Sequence, residues 1–138
     1  NHAYTLAIIY SPPAEPVPLD LFDRLYHYNR ALLLVGDLNA RHPDWHDVKT
    51  NPCGHRLAAW IAASDDLKVF NPSQPTSTRS RAIIDPIIAP SDLSSELATV
   101  DQTMCVTDHY PIHWSLSSIK LPNNVDRQVE RVDWLVVN

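Results

Sequence analysis

The sequence predicts a mixed-sheet α/β sandwich, and three observations predict it. Residues 31–35 (ALLLV) are apolar throughout, as a strand covered on both faces is. Residues 20–30 and 55–64 carry apolar side chains at helical spacing, with Leu21, Leu25 and Tyr28 in the first and Leu57, Trp60 and Ile61 in the second. The strand-like runs after residue 67 follow one another with no helix between them, which does not fit a purely parallel, doubly wound sheet.

The elements follow in order. Residues 4–10 (YTLAIIY) read as a strand that stops at Ser11-Pro12-Pro13, where proline can no longer donate to a ladder. A proline-containing loop leads to the first helix, and the apolar strand 31–35 ends in Gly36-Asp37-Leu38-Asn39. Residues 41–54 are polar, contain Pro43, Pro52 and Gly54, and read as loop before the second helix. Short strands are expected at 67–70, within 81–89 (interrupted by Pro86), at 98–106 and at 112–116. Residues 121–138 read as an appended tail or linker ending in an apolar stretch, 132–137. No internal repeat or low-complexity tract is present.

The 138 residues suffice for one domain with a core, and 44% apolar with 20% charged residues is a globular balance. All apolar runs are far too short to cross a bilayer, so no membrane partner is expected. Two cysteines, Cys53 and Cys105, read as free thiols. A formal net charge of −5 argues mildly against a broad nucleic-acid-binding face. It leaves open a phosphodiester-cleaving site, where carboxylates gather around a divalent cation that restores attraction to phosphate.

Four polar clusters could carry chemistry. Asp37 and Asn39 leave the end of an apolar strand, and a two-residue step puts both on one side. A carboxylate there can take a proton from water, and an amide can donate to a phosphate oxygen. The alternative is an ordinary turn, in which Asp and Asn are common. Asp108 and His109, in Thr107-Asp108-His109-Tyr110-Pro111, point in different directions from an extended chain, so one can meet a cation and the other a phosphate; the alternative is a polar loop. Asp85 interrupts an apolar run, is costly there unless paired, and has His109 as a natural partner whose tautomer it would fix. Tyr10 stands at a strand end with a rigid exit, able to aim its hydroxyl into a cleft or to sit in the core. His42 is a candidate to touch substrate, and Trp45 is a candidate to stack on a base, though such a residue is more often a lid for the core. Arg79 and Arg81 are phosphate contacts or members of a solvated loop.

Taken in order, these clusters resemble the endonuclease/exonuclease/phosphatase superfamily, which includes the exonuclease III-like abasic-site endonucleases and DNase I. Tyr10-Ser11-Pro12-Pro13 looks like the "Y-x-P-P" of its non-LTR retrotransposon branch. Gly36-Asp37-Leu38-Asn39-Ala40-Arg41-His42-Pro43-Asp44-Trp45 looks like "G-D-F-N-A-h-h-x-x-W". Residues 51–57 resemble "N-x-x-G-x-x-L", Pro75-Thr76 with Ile84-Asp85 resembles "P-T…I-D", and residues 107–112 look like "S-D-H-x-P-I" with Thr107 replacing Ser. The likeness runs over residues 4 to 117. It implies a DNase I-like sandwich, with residues 1–120 as the C-terminal part of the domain.

Carried over, the resemblance implies that Asp37 positions or activates water and that Asn39 and Tyr10 bind the scissile phosphate. Asp108 would stand at the metal, and His109, held by Asp85, would stabilise developing charge. It further implies Mg²⁺ (or Mn²⁺) as cofactor, DNA as substrate, a reverse transcriptase domain in the same polypeptide, and work inside the cell, in the nucleus. One departure matters. The family pattern begins with strands carrying an Asn and then a metal-ligand Glu, and nothing before Tyr4 supplies either; Glu15 comes too late in sequence order. The expectation is a sheet without its N-terminal strands and an isolated chain with little or no activity. A catalytically dead, retrotransposon-derived module that binds nucleic acid or protein is the alternative, and a small-molecule phosphatase a more distant one.

Overall fold

The computed structural model describes residues 3–104 and 107–117. Its elements are β1 (Thr5–Ile8), α1 (Leu19–Tyr28), β2 (Leu32–Val35), a 3₁₀ turn at Pro43–Trp45, α2 (Pro52–Ala62), β3 (Leu67–Val69), β4 (Ile87–Pro90), β5 (Thr99–Val100) and β6 (Ile112–His113). Cys53 is a free thiol, while Cys105 and the expected tail at 121–138 lie outside the described residues.

Four strands form one sheet in the order β1-β2-β4-β3, and β5 and β6 form a two-stranded antiparallel ribbon. The sheet is mixed: β1 runs parallel to β2, whereas β4 runs antiparallel to both β2 and β3. The parallel pair is joined through α1, as a crossover requires. Residues expected as one strand over 81–89 pair only from Ile87 onward, because Pro86 has no N–H to offer the ladder. The strands expected at 98–106 and 112–116 shrink to two residues each.

The second helix begins at Pro52 rather than His55. Asn51 is its N-cap, accepting from Gly54 N at 2.8 Å, and Pro52 fills the first helical position, where a missing N–H costs nothing. Gly54 is required by close approach, since a Cβ there would lie 1.9 Å from the Arg41 carbonyl oxygen.

Both helices cover one face of the sheet. Phe22, Tyr26, Leu57 and Trp60 pack with Leu32, Leu34 and Ile88 on that side. Burial of such side chains contributes on the order of 2 kcal/mol each. The other face carries a smaller cluster of Leu33, Ala89 and Leu93 against Tyr4, Phe70, Trp114 and Leu116. β1 lies at the sheet edge and leaves Leu6 and Ile8 exposed on that second face.

Of the two readings of Trp45, base stacking and core lid, the structure gives the second: the side chain is fully buried, with its indole N–H donating to the Ala40 carbonyl at 3.0 Å. The 3₁₀ turn folds it into the core, so neither ring face is open to a nucleobase. Beside it, the Asp47 carboxylate is buried and fully used. It takes two bonds from Arg41 (Nε 3.0 Å, Nη2 2.9 Å), one from Lys49 N at 2.9 Å and one from Ile83 N at 2.7 Å. That carboxylate ties the loop after β2 to the segment before β4.

Desolvation alone would raise the Asp47 carboxyl. The hydrogen bonds from Arg41, Ile83 and Lys49 outweigh it and hold the group below the ordinary 3.8. A depressed folded value stabilises the fold above the unfolded value and loses that stabilisation as pH falls through the folded one. Asp47→Asn should therefore cost about 3 kcal/mol in urea unfolding at pH 7. The gap to the wild type should close as the pH is taken below 3.8.

Candidate active site

Backbone register alone sets two carboxylates face to face. β2 and β4 pair Leu34 with Ile88 and Val35 with Ile87, so each step forward on one is a step back on the other. Leu38 N donates to the Ile84 carbonyl at 3.1 Å, which keeps the same register beyond the strand ends. Continuing it places Asp37 opposite Asp85. Like charges directly opposite are unfavourable. The side chain between them is His109, with Nε2 at 3.3 Å from Asp37 Oδ2 and Nδ1 at 3.0 Å from Asp85 Oδ2.

The Asp37 loop is shaped by two unusual backbones. Gly36 has φ 139°, and a Cβ on it would lie 1.9 Å from the Ile9 carbonyl oxygen, so only glycine fits. Asn39 is left-handed, with φ 47°, and its N–H donates to Asp37 Oδ1 at 3.0 Å. Asp37 and Asn39 thus share a side through a tight turn, not through the strand alternation expected from sequence. Asn39 is held from both sides: its Nδ2 donates to the Ser11 carbonyl at 2.9 Å, and its own carbonyl accepts from Asn51 Nδ2 at 2.7 Å. The Asn39 amide also faces the Asp37 carboxylate, whose pKa it lowers.

A cleft of about 540 Å³ opens here, lined by Tyr10, Asp37, Asn39, Asp108 and His109 among others. Asp85 does not line it but reaches His109 from the protein side. The sequence-derived candidates Tyr10, Asp37, Asn39, Asp85, Asp108 and His109 therefore come together. His42 does not join them: its Nδ1 accepts from Asp44 N at 3.2 Å and its ring lies 5.3 Å from that of Trp45. Asp108, which lines the same cleft as His109, pairs with Arg79 at 2.8 Å.

A family model described as endonuclease-reverse transcriptase matches residues 4–113. The chain belongs to that family. Among solved structures, the endonuclease domain of TRAS1, a telomere-specific non-LTR retrotransposon, is similar with a TM-score of 0.66 at 21% identity. The alignment covers 78% of this chain and 52% of that one, so the chain spans about half the length of the solved domain. No curated protein matches the chain. Family and fold are thus those of nucleases, and the mixed sheet described above is part of that endonuclease fold.

In this endonuclease-reverse transcriptase segment Asn51, marked in sequence by the likeness of residues 51–57 to "N-x-x-G-x-x-L", pins Asn39 and caps α2 at once. Asp47 carries no such signal, because its partner Ile83 lies 36 residues away.

Burial is the main cause that raises the Asp37 carboxyl above 3.8, and the facing Asp85 adds to it against the lowering effects of Asn39 and His109. With the folded value raised, the fold favours the protonated form, so this group's penalty grows as pH rises from 3.8 through the folded value. Asp37→Asn should accordingly melt at a higher temperature than wild type at pH 7, and the two should converge near pH 3. A variant less stable than wild type at pH 7, followed by circular dichroism, contradicts this electrostatic account.

Proposed function

We propose that this chain is part of a DNA-nicking endonuclease within a retrotransposon polypeptide that also carries reverse transcriptase. The single observation that supports it best is the ordered row Asp37–His109–Asp85 at the floor of a cleft also lined by Asn39 and Tyr10. An ionised Asp85 can only accept, so His109 Nδ1 carries the proton between them and the ring orientation is fixed. When the ring also carries a proton on Nε2, that nitrogen is a donor to a phosphate oxygen on which negative charge develops, with the Tyr10 hydroxyl and the Asn39 amide as further donors. Asp37, whose carboxyl is raised and so more basic than an ordinary aspartate, accepts the proton of the attacking water. The water oxygen bonds to phosphorus and the bond to the 3′-oxygen breaks. That oxygen takes a proton from solvent, leaving a nick whose 3′-hydroxyl can prime reverse transcription.

The donor set fits a divalent cation in part. One ligand atom each from Asp37, Asp85 and His109 lie within 4.8 Å of one another, but Asp85 and His109 Nδ1 are engaged with each other. Asp37 and Asp108 are the carboxylates of this chain that would hold Mg²⁺ or Mn²⁺, as Mg²⁺ commonly binds through one or two carboxylates and keeps several waters. The ion would supply Lewis-acid stabilisation of phosphate charge. The described residues include no helix long and apolar enough to cross a membrane. An element that copies itself into chromosomal DNA works in the nucleus, which is the compartment this reading expects.

Nicking of supercoiled plasmid by the parent polypeptide with Mg²⁺ tests the proposal. His109→Ala should lower the rate at least about 100-fold. Asp37→Ala should lower it by about 10²–10⁴-fold. The isolated 138 residues should nick little or not at all. Nicking that survives both substitutions defeats the site.

A further inference from the structure

A phosphodiester brings negative charge into a cleft that already holds Asp37 and Asp108. Among the described residues lining that cleft, Arg41 and Arg79 carry the permanent positive charges. Arg41 is committed: both its Nε and its Nη2 bond the buried Asp47 carboxylate, and moving it would leave that carboxylate stranded. Arg79 is in the opposite position. Its side chain is 76% exposed and its partner, Asp108, 55% exposed, so their 2.8 Å contact is a surface pair that solvent weakens.

The backbone under Arg79 is nonetheless fixed relative to His109. Ser77 and His109 form an antiparallel bridge. Thr78 N donates to the Asp108 carbonyl at 2.8 Å, Thr78 Oγ1 to the Thr107 carbonyl at 2.9 Å, and Tyr110 N to the Thr76 carbonyl at 2.8 Å. An exposed guanidinium therefore rides on a segment stitched to the strip that carries Asp108 and His109.

We propose that Arg79 is a positioning residue that binds a backbone phosphate of the nucleic acid, exchanging the Asp108 carboxylate for a phosphate group. Both acceptors suit the planar two-pronged donor of arginine, and a phosphate carries the charge of a carboxylate with more acceptor oxygens. Asp108 is thereby released toward the cleft when nucleic acid arrives. This rests on the nucleic-acid reading of the site given above. It assigns to Arg79 the affinity for the phosphate backbone, independent of base sequence.

The test is fluorescence anisotropy of the full 138-residue chain with a labelled DNA duplex in EDTA, over a series of salt concentrations. Arg79→Gln should weaken binding about tenfold at low salt. It should also flatten the slope of log affinity against log salt by about one, the signature of one lost phosphate contact. Arg79→Lys should keep the slope while losing part of the affinity. Arg81→Gln, an exposed neighbour outside the cleft lining, should change neither. Because Arg79→Gln also frees the charge of Asp108, the double variant Arg79→Gln/Asp108→Asn decides between contact and neutralisation. A slope that stays flattened supports the phosphate contact, and one restored to wild type overturns it. An unchanged slope in Arg79→Gln, with wild-type binding intact, overturns this inference alone; a wild-type chain with no salt-dependent binding overturns the nucleic-acid reading with it.

Discussion

Two aspartates held opposite each other by sheet register are the constraint from which the rest of the site follows. The β2–β4 pairing that buries Leu34 and Ile88 also brings Asp37 against Asp85, and no side-chain adjustment undoes a backbone register. Something must stand between the two charges. His109, delivered by a segment bridged to Ser77, fills that place with one ring nitrogen toward each carboxylate. Burial, with the facing Asp85 adding to it, raises the Asp37 carboxyl, and the arrangement persists because the hydrophobic layers on both faces fix the strands. Unfavourable charge placement kept by a stable scaffold is what a reactive site requires.

Polar groups, not apolar ones, set the shape of the loop that completes the site. Asn51 joins the start of α2 to Asn39 and Arg41, and Asp47 joins Arg41 to Ile83. Each of these side chains satisfies several backbone groups that would otherwise be buried without partners. The left-handed Asn39 and the glycine at 36 are conformations that cost free energy, and the hydrogen bonds around them hold the chain there. The turn thereby presents an amide and a carboxylate to one cleft.

Much of this was legible in the sequence because the signals are local. An apolar run followed by Gly36-Asp37-Leu38-Asn39 announces a buried strand that ends in polar groups, and Asp85 inside an apolar run announces a paired carboxylate. The mixed sheet and both helices follow from similar patterns. What sequence missed depends on distant partners. Trp45 leaves base stacking and core lid both open in sequence, and a single turn of 3₁₀ helix decides for burial. Asp47 sits in the same loop and is buried by a backbone N–H far along the chain. Two-residue strands such as β5 carry too few side chains to show a period. The Asp37–Asn39 geometry was read as strand alternation, whereas a left-handed residue produces it, and no periodicity reports a dihedral angle.

Ring ¹⁵N chemical shifts of His109 test the bridge between the two aspartates most directly. With Asp85 accepting from Nδ1, that nitrogen should carry the proton of the neutral ring. Asp85→Asn should release the constraint and let the Nε2–H tautomer appear. A wild-type spectrum in which Nδ1 is the unprotonated nitrogen would contradict the account, because His109 would then not be held by Asp85 in the orientation on which the cleft's chemistry rests.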